Sequence, residues 1–185
     1  MASEVASARI GPDLLDRRRL AEEDVEPMRE ALDRLADALR RERGLNELGH
    51  ERALKYVRAQ LSRLEQLTQD RAAFPEICQV QVARPIILTG APRSGTTFLH
   101  SLLAQDPQHR SPLTWEVEFP SPPPEGDHLY DDPRVARWME VQSGPGATHT
   151  KDLRNPDVQK KHLIGPLLPE ECGGMLGAML RSPSS

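Results

Sequence analysis

Gly90-Ala91-Pro92-Arg93-Ser94-Gly95-Thr96-Thr97 is the stretch on which the reading of this chain turns. Before it stands Arg84-Pro85-Ile86-Ile87-Leu88-Thr89, a short apolar, β-branched run that suits a buried parallel strand. After it, residues 96–105 carry a helical pattern with Phe98, Leu99, Leu102 and Leu103 as the apolar positions, and Asp106-Pro107 ends it. A strand, a glycine-bracketed turn and a helix thus follow in order. The two glycines let the backbone wrap an anion with no Cβ in the way. The N–H groups of the first helical turn point inward, and the helix N-terminus adds partial positive charge. Ser94, Thr96 and Thr97 can each donate a hydroxyl, and Arg93 can add a charge-assisted contact.

The spacing of Gly90 and Gly95 matches the P-loop pattern of two glycines with four residues between them. The loop departs from that pattern at Thr96, which stands where a nucleotide triphosphatase has its lysine. The cation lies three residues earlier, at Arg93. With this departure, Pro92-Arg93-Ser94-Gly95-Thr96-Thr97 followed by Phe98-Leu99 resembles the phosphosulfate-binding loop of PAPS-dependent sulfotransferases. It is most similar to the branch with arginine in the cation position, which includes tyrosylprotein sulfotransferases and many bacterial sulfotransferase-like proteins. The resemblance is specific over residues 85–118 and looser beyond, where His162 to Gly174, with Leu168-Pro169-Glu170-Glu171-Cys172, resembles a stretch of the bacterial branch.

That resemblance implies an α/β fold, a P-loop-like parallel sheet, here partial and preceded by an N-terminal helical hairpin. It implies PAPS as co-substrate, bound by Gly90, Arg93, Ser94, Gly95, Thr96 and Thr97, with no metal required for transfer. Sulfuryl transfer is an in-line displacement at sulfur, with demands close to those of phosphoryl transfer. Loop amides and Arg93 would stabilise the departing phosphate, and a base must take the acceptor proton. Glu116 is the first candidate base, since it follows the loop helix at the remove of the family's glutamate, near the end of the strand-like piece Leu113-Thr114-Trp115-Glu116. Glu118 and His149 are the alternatives. The acceptor is expected to be a hydroxyl of a small or lipid-like molecule. The resemblance also implies a later strand and helix that hold the 3′-phosphate; nothing after Thr150 reads as that element, so residues 76–185 are read as the first half of the domain.

Residues 1–75 read as helix. From Val25, the positions Met28, Leu32, Leu35 and Leu39 form one apolar stripe, with Asp24 as the expected cap and Gly44 as the expected close. Glu30 with Arg34, and Asp37 with Arg41, are spaced for ion pairs on the wet face. A second helix is expected from near Asn46 to about Arg71, with Leu54, Val57, Leu61, Leu64 and Leu67 as its stripe, and the short connection makes the pair an antiparallel hairpin. Between the hairpin and the strand, Ile77 to Val82 alternates weakly and is expected to be extended.

Beyond residue 108 the chain is rich in loops, with prolines at 120, 122, 123 and 124. Asp132-Pro133 predicts a short helix to about Gln142 that buries Val135, Trp138 and Met139. Asn155-Pro156 and Pro169-Glu170-Glu171 are read as two further helix starts. The formal net charge of −4 gives no basic field for nucleic acid or an anionic membrane. No apolar run approaches the roughly 18 residues of a membrane span. Cys78 and Cys172, without metal-ligand spacing, read as reduced thiols of a cytoplasmic protein. Two other readings stay open: a non-catalytic helical interaction protein with a vestigial loop, and a P-loop kinase, against which Thr96 in the lysine position argues.

Overall fold

The computed structural model describes residues 10–42, 46–91, 94–145, 153–157, 164–178 and 180. The chain divides into two compact units. One comprises residues 1–78 with 175–185, the other residues 79–174.

The first unit is the helical hairpin. Helix α1 runs Glu22–Arg41 and helix α2 runs Glu47–Ala73. The centre of each expected stripe is buried, while Leu35, Leu39, Leu54 and Leu67 are half-buried. Met28, Leu32, Val57, Leu61 and Leu64 make the core with Leu15 from a 3₁₀ turn at Pro12–Leu15, and Leu35 and Leu180 pack on its edge. Burying such side chains contributes about 1.5–3 kcal/mol each before entropy is subtracted. The helices are antiparallel: the start of α1 meets the end of α2 through Arg71, which lies 3.3 Å from Asp24 and 3.9 Å from Glu23. Arg18 and the Arg19 amide both reach Glu65, at 3.1 Å each.

The ends of the helices correct the sequence in part. Asp24 does not cap α1; Ala21 is the N-cap, with no side-chain bond, and Glu22, Glu23 and Asp24 form the acidic first turn. That acidity complements the helix dipole and lets the helix start earlier than a capping side chain would require. Asn46 caps α2, its side chain accepting from the Gly49 amide at 2.9 Å. Glu30 pairs with Arg34 at 2.5 Å, as spaced. Asp37 pairs with Arg40 rather than Arg41, because i,i+3 and i,i+4 neighbours lie at similar reach on a helix. Gly44 lies outside the described residues.

The second unit holds helices α3 (Thr96–Leu103), α4 (Thr114–Glu118) and α5 (Pro133–Ser143), and reaches the first residues of α6 (Gly173–Ala178). Its core is Leu113, Trp115 and Trp138, with Phe119, Leu129, Val135, Leu153 and Ile164 against it. Asp132 caps α5 by accepting from the Arg134 amide at 2.8 Å, with Pro133 in the first turn. Trp138 is buried as expected, but Met139 is exposed and Gln142 is buried in its stead. The last helix begins at Gly173, not at Pro169. Gly174 is required there, because a Cβ on it would stand 2.6 Å from Val117 Cγ1.

The expected strand is the main departure. Among the described residues no strand forms; a single antiparallel bridge joins Leu113 to Pro169. Residues 85–89 lie in irregular chain, with Ile86 60 % and Ile87 80 % exposed. A parallel strand is stable only when neighbours complete its ladder and cover both faces, and no described segment does either. The apolar positions of α3 are left open for the same reason: Phe98, Leu99 and Leu102 are exposed. Of the stretch Ile77 to Val82 expected to be extended, residues 77–79 belong to a 3₁₀ turn at Pro75–Gln79, and residues 80–82 take no regular structure.

Candidate functional site

The loop keeps its glycine geometry without the strand. Gly95 has φ +89°, in the left-handed region, and is the N-cap of α3. Only glycine takes that conformation without strain. Its placement turns the chain so that Thr96 and Thr97 open the helix and leave their N–H groups at its positive end. Gly90 answers a different need. A Cβ there would stand 2.7 Å from Ser94 Oγ and 3.0 Å from Thr96 Cγ2. Gly90 therefore lies directly beneath two of the loop's hydroxyl-bearing residues. Ser94 closes the turn by donating its amide to the Ala91 carbonyl at 3.2 Å.

Chemically this is an exposed turn in which Ser94 Oγ and the Thr96 methyl group pack against Gly90, at the N-terminus of α3. It carries donors and no acidic residue of its own. Arg93, the expected cation, lies outside the described residues, as does His149. His100, in the second turn of α3, is tied to Ser111 by a bond of 3.1 Å between its Nε2 and the serine Oγ.

Glu116 lies on α4, not at a strand end. The cause is its own side chain. Glu116 Oε2 accepts the Leu113 amide at 2.7 Å and so caps the turn it belongs to, while Oε1 takes the Arg110 guanidinium at 2.5 Å. The carboxylate is buried and the arginine is half exposed. A buried charge with two charge-assisted donors is satisfied. Glu118, the alternative, accepts from Gln142 Nε2 at 3.3 Å.

Three features of the site had no signal in the residue pattern. The first is the docking of residues 165–170 on the Glu116 turn: Thr114 N donates to Leu168 O at 2.9 Å, Trp115 N to Pro166 O at 3.1 Å, and Glu170 N to Pro112 O at 3.0 Å. The second is that this docking delivers Glu171 to the loop, where its Oε1 accepts from Thr97 Oγ1 at 2.8 Å. The third is Arg134, which lies 4.6 Å from the Trp115 ring centre and donates to Asp132, to the Phe119 carbonyl and to the Pro122 carbonyl. It locks the proline-rich loop to α5. The Arg134 bond holds the Asp132 carboxyl below its ordinary pKa, against the desolvation that would raise it. A cleft of about 420 Å³ opens beside this lock, lined among others by Pro122, His128, Asp131 and Arg134. It contains none of the loop residues, so it is read as a by-product of the proline-rich loop.

The sequence profile of the sulfotransferase family matches residues 85–184, which is more than half of the 185-residue chain. No curated protein sequence matches it. Among solved structures, sulfotransferase STF1 from Mycobacterium tuberculosis H37Rv is similar at 29 % identity and a TM-score of 0.69, over 89 % of this chain and 43 % of that one. Sulfotransferase STF9 from Mycobacterium avium has the same fold, at 24 % identity and a TM-score of 0.69, over 89 % of this chain and 45 % of its own. The chain thus spans less than half the length of these enzymes.

Proposed function

Because this chain belongs to the sulfotransferase family, we propose that its loop at residues 90–97 receives the 5′-phosphosulfate of PAPS and that the protein serves sulfuryl transfer to an acceptor hydroxyl. The observation that carries this is the loop itself: a left-handed Gly95 opening α3, with Gly90 packed beneath Ser94 and Thr96. The donor set fits the group. Hydroxyls of Ser94, Thr96 and Thr97, first-turn amides and the Arg93 side chain suit an anion with several oxygens. When bound, PAPS supplies an activated sulfuryl group.

In this reading the acceptor oxygen forms its bond to sulfur as the bond from sulfur to the phosphate oxygen breaks. That electron pair leaves on the phosphate of adenosine 3′,5′-bisphosphate. Loop amides and Arg93 offset the charge developing there, and the threonines hold the phosphate in line. The acceptor proton goes to Glu116. Its carboxylate has roughly four lone-pair directions, of which Arg110 and the Leu113 amide engage two. Those two donors hold the buried group in one orientation, and in this reading the acceptor hydroxyl engages one of the remaining lone pairs. The acceptor is read as a small or lipid-like hydroxyl compound.

The test is calorimetric titration with adenosine 3′,5′-bisphosphate and, separately, with ATP and magnesium. Selective binding of the bisphosphate, weakened by Arg93→Ala, supports the reading. Equal or tighter binding of magnesium ATP would replace it with a kinase. Transfer of labelled sulfate from PAPS to a panel of hydroxyl compounds then addresses the acceptor.

A further inference from the structure

We propose that Glu171 is a specificity-determining residue of the loop: its carboxylate is the resident anion that an incoming phosphosulfate must displace from Thr97. This rests on the reading of residues 90–97 as a phosphosulfate site. The starting point is the 2.8 Å bond from Thr97 Oγ1 to Glu171 Oε1, between residues 74 apart in sequence. Thr97 is the second residue of α3. Its hydroxyl stands in the first helical turn, where free amides and the dipole favour negative charge. Both side chains are exposed, so this bond adds little to folding, since water could replace either partner. Its position is that of an oxygen acceptor at the mouth of an anion loop.

Glu171 does not arrive there by chance of a loose tail. The preceding segment is bonded to the Glu116 turn through Leu168, Pro166 and the Glu170 amide, and Leu113 and Pro169 form a bridge. The Glu171 amide is itself held by Glu170 Oε1 at 3.0 Å. The backbone is therefore anchored one residue before the carboxylate, and the side chain remains free to rotate away.

The Thr97 hydroxyl has one proton. It can donate to Glu171 or to a phosphate oxygen, not to both. An entering anion must either move the carboxylate or forgo Thr97, and a carboxylate left in place repels it. A ligand that touches the loop at many points overcomes this; a small inorganic oxyanion with fewer contacts does so less well. Glu171 thereby raises the threshold for occupation and favours the extended phosphosulfate ligand over inorganic phosphate.

The experiment is titration of the full chain with adenosine 3′,5′-bisphosphate and with inorganic phosphate, for the parent, Glu171→Gln and Glu171→Ala. Glu171→Gln should bind the bisphosphate roughly 3- to 10-fold more tightly, and inorganic phosphate should gain by a larger factor. Glu171→Ala should gain likewise, which covers the case in which one variant folds poorly. A merely structural glutamate would give weaker binding on substitution, so the sign decides. Unchanged or weaker binding in both variants, with the parent still binding the bisphosphate, overturns this proposal alone. Absence of bisphosphate binding in all three overturns the phosphosulfate reading and this proposal with it.

Discussion

Arg110 and Glu116 form a half-buried ion pair of 2.5 Å, and the same carboxylate caps its own helix at the Leu113 amide, 2.7 Å away. One side chain thus shapes the turn that carries it and stands as the candidate base. The two roles separate by substitution. Glu116→Gln keeps an acceptor oxygen for Leu113, so folding should change little. On the proposed function, in a form of the protein extended to the length of the solved sulfotransferases, sulfuryl transfer should fall ~100- to 10,000-fold, with bisphosphate affinity nearly unaltered. Glu116→Ala should also cost about 1–3 kcal/mol of stability, since the cap is lost and a partly buried donor is left unmet. Urea unfolding measures the second effect and steady-state kinetics the first. Undiminished turnover in Glu116→Gln would move the base to Glu118 or His149.

Gly95 has φ +89° with open space where a Cβ would go. Substitution there meets no clash, so any effect is backbone strain alone. Gly95→Ala should cost roughly 1–2 kcal/mol and weaken bisphosphate binding, because the first turn of α3 would re-aim its amides. Gly90→Ala acts by the other route, through Ser94 Oγ at 2.7 Å, and should weaken binding with less loss of stability. Parallel thermal melts and titrations distinguish them. Identical behaviour of the two variants would show that the loop does not use these glycines differently.

The acid limb of stability should depend on Asp132 and Glu65. The Arg134 side-chain bond lowers the Asp132 pKa from its ordinary 3.8, and the Arg19 amide, then Arg18, lowers that of Glu65 from 4.5. Both folded-state values are depressed, so each carboxylate's contribution is fully present above its unfolded value. It is lost as pH falls through the lower folded value. Asp132→Asn and Glu65→Gln should each lower stability near neutrality and flatten its decline below about pH 4.5. Denaturation series across pH 2 to 7 test this; a decline of unchanged steepness in both variants would contradict it.

Leu61 sits at the centre of the hairpin core, fully buried with Met28, Leu32 and Val57. Leu61→Ala should destabilise the hairpin by about 2–5 kcal/mol, visible as an earlier loss of helical circular dichroism. A shift below 1 kcal/mol would mean that the hairpin collapses around the cavity at little cost.

Local pattern alone was enough for much of this protein. The hairpin was legible because Met28, Leu32, Val57, Leu61 and Leu64 repeat at helical spacing and Asn46 carries its own cap, all within a few residues of one another. The loop was legible because glycines and hydroxyl residues at a fixed spacing report backbone conformation directly, as Gly95 does. Asp132-Pro133 announced α5 in the same way. What tertiary structure decided were pairings between distant parts of the chain. Residues 85–89 have the composition of a strand, but a strand exists only when a neighbour completes its ladder, and no described segment does. Glu116 read as the end of a strand because periodicity over four residues cannot weigh a side chain that folds back on its own amide. Nothing near Glu171 in sequence points to Thr97; the bridge at Pro169 and the Glu170 amide bring it there. Hydrogen bonds within a turn are written in neighbouring residues, whereas the meeting of two side chains 74 residues apart depends on every contact that packs the chain between them.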